Sequence, residues 1–277
     1  MKPITRIALY HRADVPEAVD WAARIRAYIT EKHPTIVFDD QKPEAVVVLG
    51  GDGTVLDVAH AHYTGAIIFG LNLGHVGFLT AVRKPEHFYE GLERFLQGDY
   101  MPVKHMMLTT TVERNGKTIF KANALNEAAI QNLTSVAEMS ISIDGHPVQH
   151  VKGTGVMVST ATGSTAWALS VHAPIVMPDI ACFIISEIMD HGLPTPSLVI
   201  KRNRTISIRI ESFRPKDMLQ LKDGQPVDML LMADSAKSCV LQAGDIVYVR
   251  RSPQPVIFAE LDRHYFFKSV QETFGLK

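Results

Sequence analysis

The feature that most constrains the fold is an apolar run, Ala45–Leu49, that leads directly into the segment Gly-Gly-Asp-Gly-Thr at residues 50–54. A run without a polar position is typical of a strand buried on both faces, as in parallel sheets covered by helices. The glycines predict a loop whose backbone can approach a ligand, and a helix is expected after it, at residues 55–62. Ligands in open α/β sheets bind beyond the carboxyl ends of the strands. The run therefore predicts an α/β sheet with a binding loop at its edge.

The rest of the first hundred residues alternates strand-like and helix-like patterns. Asp14 followed by Glu17 has the spacing of a capping box and predicts a helix, and Pro85 opens another helix that Gly98 ends. This alternation favours a Rossmann-like α/β domain over residues 1–102. Two further strands are expected at residues 4–10 and 66–69.

The pattern changes after Met101-Pro102, where short alternating runs replace the helices. Asn115-Gly116 lies between two of these runs and is a strong hairpin signal. The series predicts a β-sandwich domain at residues 103–254, so the expected fold class is α/β plus all-β. Strands are expected at residues 108–112, 117–120, 139–143, 156–159, 199–201, 206–210, 218–222 and 246–250.

Residues 255–277 return to a strand followed by a helix, and we expect them to pack back on the first domain. They carry an apolar set that is too large for an exposed tail. Its members are Phe258, Leu261, Phe266, Phe267 and Phe274.

Charge and cysteine content narrow the function classes. The net charge of -1 gives no reason to expect a nucleic-acid surface. The two cysteines, Cys182 and Cys239, are far apart, which argues against a disulfide framework or a zinc site. No apolar run approaches the ~20 residues that a transmembrane helix needs, so no membrane partner is expected. These features favour a cytoplasmic protein without protein ligands for a metal ion.

The loop at residues 50–54 carries a carboxylate where phosphate binding alone would not place one. Gly50, Gly51 and Gly53, together with Thr54 and the following helix N-terminus, suit a polyphosphate. Asp52 would repel that ligand, but it makes sense as a base that takes a proton from an attacking hydroxyl during phosphoryl transfer. The alternative is a tight turn in which Asp52 caps the next helix. No Gly-Lys-Ser/Thr follows, so this is not a Walker loop.

Three other segments carry small or polar residues at strand ends. Asn72 and Gly74 lie in a loop at residues 72–79, after the next buried strand. Asn126-Glu127 pairs an amide with a carboxylate that could hold vicinal ribose hydroxyls. A hydroxyl-rich cluster at residues 160–167 suits close approach to a ribose or diphosphate. Its candidate ligand-binding residues are Thr162, Gly163, Ser164, Thr165, Ala166 and Trp167, followed by Ser170.

Taken together, these segments resemble the NAD kinase family over nearly the whole chain. Residues 50–54 match its GGDGT motif, and residues 72–79 match its N-x-G-x-x-GFL loop. Asn126-Glu127 matches its NE pair. Residues 160–167 are similar to its TPTGSTAY segment, and residues 223–225 are similar to a later DGQ turn.

The resemblance implies transfer of the ATP γ-phosphate to the 2′-hydroxyl of the adenosine ribose of NAD, which makes NADP. It implies that Asp52 is the base, that the NE pair and the hydroxyl-rich segment hold NAD, and that Mg²⁺ or another divalent cation accompanies ATP. It also implies a homodimer or homotetramer in which a neighbour contributes part of the NAD pocket.

Departures from the family pattern gather around the NAD-binding segments. Thr154 stands where the family often has Asp, Trp167 stands for Tyr, and His172 stands for a glycine of SAGGP. Pro196 stands where the family has arginine. These changes put substrate preference in doubt rather than the reaction. Two alternatives remain: a non-catalytic NAD(P)-binding sensor, and a lipid or sugar kinase of the same superfamily.

Overall fold

The computed structural model describes residues 4–61, 65–74, 77–192, 195–222 and 224–275. The chain divides into two compact units. Unit 1 comprises Met1–Lys104 and Val256–Lys277, and unit 2 comprises His105–Pro255. The predicted fold class, an α/β domain plus an all-β domain, is confirmed. No helix in the described ranges is long and apolar enough to cross a membrane.

Unit 1 is built on a six-stranded sheet with the order β2-β1-β3-β4-β17-β5. Neighbouring strands from β2 to β17 run parallel, and β3 is buried at every position, as its apolar run predicts. The strands are β1 (Arg6–His11), β2 (Val37–Phe38), β3 (Ala45–Leu49), β4 (Ile67–Leu71), β5 (Met101–His105) and β17 (Val256–Glu260). The α-helices are α1 (Pro16–Lys32), α2 (Asp52–His60), α3 (Phe88–Leu96) and α5 (Tyr265–Phe274).

Two helix starts differ from the sequence-based expectation. The capping box at Asp14 is wrong: α1 begins at Pro16 with Val15 as its N-cap and no side-chain cap. Asp14 instead accepts two hydrogen bonds from the Arg12 guanidinium, at 3.0 and 2.6 Å, because that cation is the nearer and stronger donor. Helix α2 begins at Asp52, within the glycine segment, rather than at residue 55.

Unit 2 is an eleven-stranded antiparallel sheet that packs a large apolar core on one side and a smaller apolar cluster around Ala129 and Met157. The hairpin predicted at Asn115-Gly116 is confirmed, with positive φ at both residues, 52° and 74°. The strands are β6 (Leu108–Arg114), β7 (Lys117–Ala124), β8 (Glu127–Asn132), β9 (Ala137–Ile143), β10 (His146–Thr160), β11 (Cys182–Asp190), β12 (Leu198–Lys201), β13 (Ile206–Phe213), β14 (Met229–Ala233), β15 (Lys237–Val240) and β16 (Ile246–Arg251). A short helix, α4 (Trp167–Ser170), follows a 3₁₀ turn at Thr162–Thr165.

Strand prediction failed in three ways in unit 2. Four strands, β8, β11, β14 and β15, were not predicted at all. Residues 218–222, where a strand was expected, form none. Gln220 makes one isolated bridge with Pro226, and Met218 is 75% exposed. Conversely, β10 is far longer than the predicted 156–159, because its glycines do not break it. A Cβ on Gly155 would lie 2.1 Å from the Ile130 carbonyl oxygen, so glycine is what lets β10 approach β8.

The C-terminal segment adds β17 beside β4 and ends in α5. Phe258 on β17 is buried, as the sequence predicts, but Phe267 and Phe274 on α5 are exposed. The buried positions of α5 are instead Tyr265 and Ser269. Phe266 is half-buried against Phe78, so α5 packs through one phenylalanine and two hydroxyl-bearing side chains.

We predict that Phe258→Ala will lower the free energy of unfolding by about 3–5 kcal/mol, because it removes a large side chain that is 3% exposed beside β4. The matched control is Phe267→Ala, which truncates the same side chain at a position 53% exposed and should cost under ~1 kcal/mol. Denaturant unfolding of both variants measures this. Equal losses would contradict the burial of β17.

Candidate functional site

The glycine segment forms a tight connection from β3 into α2. Gly50 has φ 153° and donates its N–H to the Leu71 carbonyl oxygen at 3.0 Å, which ties the loop to the end of β4. A Cβ on Gly50 would lie 2.4 Å from the Thr54 hydroxyl oxygen, so Gly50 and the buried Thr54 are required by the fold. Gly51 and Gly53 have open space where a side chain would begin. Their exposed backbone is therefore free to face a ligand.

Asp52 is held from across the sheet edge. Its Oδ2 accepts the Phe78 N–H at 2.8 Å, and its Oδ1 accepts the Leu79 N–H at 3.0 Å. The N-cap of α2 is Gly51 without a side-chain cap, so the alternative in which Asp52 caps its own helix is wrong. Burial raises the pKa of Asp52, and the two N–H groups partly oppose that rise. Each oxygen keeps a second lone pair for a substrate hydroxyl.

The second loop is shaped by its own polar and glycine residues. Asn72 is buried, and its Oδ1 accepts the Gly74 N–H at 2.9 Å, which folds the loop back on itself. A Cβ on Gly77 would lie 2.3 Å from Asp52 Oδ1, so this glycine makes room for the carboxylate. His75 and Val76 of the matched motif lie outside the described residues. The two glycine loops of unit 1 thus meet at Asp52.

In unit 2, one carboxylate holds the backbone of the Asn126-Glu127 pair. Asp234 accepts the N–H groups of Leu125, Asn126 and Glu127 at 2.6, 2.9 and 2.9 Å. Asp234 and Ser235 form the turn between β14 and β15, with φ 46° and 56°. Sequence reasoning missed Asp234, although a polar pair between two apolar runs is a turn signal.

The turn that sequence reasoning singled out instead, at residues 223–225, is placed differently. Asp223 lies outside the described residues. Gly224 takes φ 84° in an exposed turn, and its N–H bonds to Leu221. Among the described residues, the aspartate that contacts the Asn126-Glu127 pair is Asp234.

Glu127 is a buried acid with unused hydrogen-bonding capacity. It is 6% exposed, and burial together with the nearby Asp234 charge raises its pKa to about 8. Its Oε2 has no hydrogen-bond partner among the described residues, and neither does the hydroxyl of Ser159, its register partner on β10. At neutral pH the carboxyl group is therefore protonated and can donate a hydrogen bond.

The hydroxyl-rich turn packs directly on this pair. A Cβ on Gly163 would lie 2.3 Å from the Asn126 carbonyl oxygen, so only glycine permits the contact. Thr162 Oγ1 lies 3.0 Å from His105 Nδ1, and burial lowers the pKa of that histidine to about 3, which keeps the ring neutral. Ser164 is fully buried, and its hydroxyl contacts both the N–H and the carbonyl of Val176. Ser164 therefore shapes the turn.

The remaining predicted residues fall into two groups. Thr165, Ala166 and Trp167 are partly buried, with Trp167 packed against an apolar cluster that includes Ala129, and Ser170 is exposed. Thr154 lies on β10 five residues before Ser159, the residue that pairs with Glu127. Thr154 is therefore about 17 Å along the strand from the position opposite Glu127. The structure does not bring Thr154 to the Asn126-Glu127 pair of its own chain.

The departure at His172 has a conformational consequence. His172 takes φ 61°, in the left-handed region that favours glycine, where it ends α4. The following Ala173 N–H returns to the Ala168 carbonyl at 3.1 Å and closes the helix end. A histidine here keeps the backbone path that a glycine would take, at a cost of roughly 1 kcal/mol.

No group of three or more His, Cys, Asp or Glu side chains in the described ranges is placed to hold a metal ion. Both Asp52 oxygens already accept backbone N–H groups.

Two family models match the chain in order. Residues 5–100 match the ATP-NAD kinase N-terminal domain, and residues 125–261 match the ATP-NAD kinase C-terminal domain. The NAD kinase of Geobacter metallireducens is 37% identical over 212 residues, which covers 76% of this chain and 70% of that protein. The NAD kinase of Geobacter sulfurreducens is 34% identical over 227 residues, which covers 80% and 75% respectively.

Two solved structures have a similar fold. Yeast NADH kinase complexed with NADH superposes with a TM-score of 0.86 at 18% identity, covering 100% of this chain and 89% of that one. An NAD kinase from Archaeoglobus fulgidus in complex with ATP gives 0.74 at 22% identity, covering 99% of each chain. At these identities the likeness concerns the fold.

We predict that Glu127 makes the protein less stable as pH rises. Its pKa is about 8 in the folded chain against 4.5 as the ordinary value, so between these values the folded state holds a proton that the unfolded state has lost. The contribution of Glu127 to the free energy of unfolding should therefore fall from about pH 5 to about pH 8. His105, whose pKa burial lowers to about 3, contributes in the opposite sense below about pH 6.5, so the measurement is the difference between wild type and Glu127→Gln at each pH in denaturant unfolding. The control Glu211→Gln, an exposed acid of the same unit, should follow the wild type. The same pH dependence in wild type and Glu127→Gln would contradict the buried neutral acid.

Proposed function

The chain belongs to the NAD kinase family and catalyses the ATP-dependent phosphorylation of NAD, and from that premise we propose that Asp52 is the general base. The 2′-hydroxyl of the adenosine ribose gives its proton to Asp52 as its oxygen attacks the γ-phosphorus of ATP. The bond from that phosphorus to the β–γ bridging oxygen breaks, and ADP leaves. The observation that carries this role is a partly buried carboxylate held by two backbone N–H groups, with its pKa raised toward neutrality.

Gly51, Gly53 and the start of α2 form the proposed phosphate-binding surface. The first N–H groups of a helix have no acceptor one turn back, so those at the start of α2 can face an anion. A Cβ on Gly51 would meet only the Asn72 amide oxygen, at 3.9 Å, and one on Gly53 would meet nothing within 4 Å. Phosphate oxygens can therefore approach this backbone closely.

Mg²⁺ enters as part of the MgATP substrate. It is usually bound through one or two carboxylates plus substrate phosphates, and it would shield the phosphate charge as the phosphoryl group moves. We assign no residue of this chain as its ligand.

For NAD, we propose that Asn126 and Glu127 hold ribose hydroxyls and that the Thr162–Thr165 turn lines the same pocket of unit 2. Glu127, neutral at pH 7, donates a hydrogen bond from its carboxyl group, and Asn126 offers both a donor and an acceptor. Asp234 fixes the backbone of the pair by three hydrogen bonds. Because Gly163 packs against the Asn126 backbone, the turn and the pair form one continuous surface.

We further propose a homodimer or homotetramer in the cytoplasm. The family resemblance implies an NAD pocket completed by a neighbouring subunit. The distance of Thr154 from Glu127 along β10 supports this, since Thr154 can then serve a neighbour's pocket. Both cysteines are free thiols, as a reducing compartment requires.

The family assignment disfavours the two alternatives that the sequence left open, a non-catalytic sensor and a lipid or sugar kinase. A sensor would not need the Asp52 carboxylate, yet its support by Phe78 and Leu79 is intact. A lipid or sugar kinase would not need the Asn126-Glu127 pair with its dedicated Asp234. Incubation with NAD, ATP and magnesium, with NADP read by an NADP-specific dehydrogenase, tests all three proposals.

We predict that Asp52→Asn will lower kcat by about 10²–10⁴-fold, the usual worth of a positioned base, with little change in ATP binding. The amide keeps the size of the side chain but cannot take the proton. The coupled NADP assay and calorimetric titration with ATP measure the two effects. Asp57→Asn, an exposed change on the same helix, is the control. A loss of less than tenfold would make Asp52 a structural residue.

We predict opposite effects for two neighbouring glycines. Gly51→Val should preserve the melting temperature but abolish ATP binding, because its Cβ fits the fold and its side chain obstructs the phosphates. Gly50→Ala should lower the melting temperature, because its Cβ would strike Thr54 at 2.4 Å. Thermal unfolding and ATP titration separate the two effects. Unchanged ATP binding in Gly51→Val would mean that residues 50–54 form a turn without a role in phosphate binding.

A further inference from the structure

The buried face of α5 is unusual because it is built from hydroxyl groups. Tyr265 is 6% exposed and Ser269 is fully buried, whereas Phe267 on the same helix is 53% exposed. A surface helix ordinarily buries its apolar side chains. Burying a hydroxyl costs free energy unless it finds a hydrogen-bond partner. The partners of these two hydroxyls therefore explain why this face is turned inward.

Both hydroxyls converge on one backbone carbonyl. Tyr265 Oη donates to the Gly77 carbonyl oxygen at 3.2 Å and lies 3.3 Å from the hydroxyl of the buried Thr80. Ser269 Oγ lies 3.4 Å from the same Gly77 oxygen and 3.0 Å from the Tyr265 carbonyl oxygen. The acceptor belongs to the loop at residues 72–79.

That carbonyl shares a peptide unit with a group that holds Asp52. The Gly77 C=O and the Phe78 N–H belong to one planar amide and point in opposite directions. A hydrogen bond to the oxygen therefore fixes the direction of the N–H, which donates to Asp52 Oδ2 at 2.8 Å. Glycine is the residue whose backbone turns most freely, so without a bond at Gly77 this peptide is weakly restrained. A bond at the oxygen also polarises the N–H and strengthens its bond to the carboxylate.

Arg83 fixes α5 against the loop. Its Nη2 donates to the Tyr265 carbonyl oxygen at 3.0 Å and to Ser269 Oγ at 2.6 Å. Its guanidinium lies 4.5 Å from the centre of the Tyr265 ring, and its Nη1 pairs with Glu272 at 2.5 Å. Tyr265 is thus held at its backbone carbonyl and at the face of its ring by Arg83, and at its hydroxyl by the Gly77 carbonyl.

We propose that Tyr265 is a positioning residue for Asp52: its hydroxyl orients the Gly77–Phe78 peptide, which in turn aims and stabilises the carboxylate. The proposal rests on the assignment of Asp52 as the base. Tyr265 does not contact the reacting atoms, and its effect passes through the Phe78 N–H. Ser269 supports the same carbonyl from the next turn of α5.

The test is Tyr265→Phe, which keeps the ring and its stacking with Arg83 and removes only the hydroxyl. We expect kcat to fall about tenfold, the rate equivalent of one lost hydrogen bond, with the KM values for ATP and NAD changed less than about twofold. The acidic limb of the kcat–pH profile should move to higher pH. Its sign follows from the Phe78 and Leu79 N–H groups, which lower the pKa of Asp52; weaker bonds let that pKa rise, and a protonated Asp52 accepts no proton. Tyr265 also faces Asp52, and burial raises its pKa, so it stays neutral across this limb.

Tyr28→Phe is the matched control. Tyr28 Oη donates to Glu93 at 2.7 Å, so this variant also removes one partly buried phenol bond from unit 1, but at a place away from the loop. It should leave kcat and the acidic limb unchanged. If Tyr265→Phe lowers the melting temperature while its acidic limb stays with the wild type, Tyr265 is structural only and the proposal is overturned.

A double variant distinguishes this proposal from the assignment of the base. If Tyr265 acts through Asp52, then Tyr265→Phe added to Asp52→Asn should cause no further loss of kcat. A full, multiplicative loss in the double variant would overturn the positioning role and leave Asp52 as the base. An Asp52→Asn enzyme that stays active would instead overturn the base assignment. If Tyr265 orients the Gly77–Phe78 peptide, hydrogen exchange at the Phe78 amide should be faster in Tyr265→Phe than in Tyr28→Phe, whether or not Asp52 is the base. Equal exchange in the two variants would overturn the proposal.

Discussion

The two hydrogen bonds that Asp52 accepts from Phe78 and Leu79 are the interaction on which the candidate site depends. They join the start of α2, which follows β3, to the loop that follows β4. Without these bonds the carboxylate could turn away from the ligand, and its burial would favour the protonated form. The two N–H groups oppose that rise in pKa and hold the oxygens in one place, so Asp52 can act as a proton acceptor.

Close backbone packing is the second constraint, and it explains why glycine recurs at these places. Gly77 has no room for a Cβ because Asp52 occupies that space, and Gly163 has none because it rests on the Asn126 backbone. Gly51 and Gly53 are different, since nothing in the described fold fills the space beside them. Gly77 and Gly163 therefore serve the fold of the site, as Gly50 does, and Gly51 and Gly53 are left to the ligand.

The sequence was sufficient where one local signal determined the outcome. The apolar run of β3 and the hairpin at Asn115-Gly116 predicted what the structure contains, and the segment at residues 50–54 predicted a turn into a helix, although that helix begins at Asp52 rather than at residue 55. It failed where the outcome depended on which donor a carboxylate would choose. Asp14 pairs with Arg12, two positions away, instead of capping α1, and Asp234 accepts the N–H of Asn126 from 108 positions along the chain. Tyr265 escaped notice because an aromatic in an apolar tail reads as core, whereas its hydroxyl is what the fold uses.

The position of β17 between β4 and β5 has a consequence for the order in which the protein can fold during synthesis. When the ribosome has made β1 to β5, the sheet of unit 1 still lacks an interior strand, and all of unit 2 must be translated before that strand emerges. Unit 2 is continuous in sequence and can complete its core first. Until then, β4 and β5 each have one edge that lacks its partner strand β17. Unpaired strand edges favour aggregation. A chaperone that shields them during translation would act before the loop at residues 72–79, which holds Asp52, has received its support from α5.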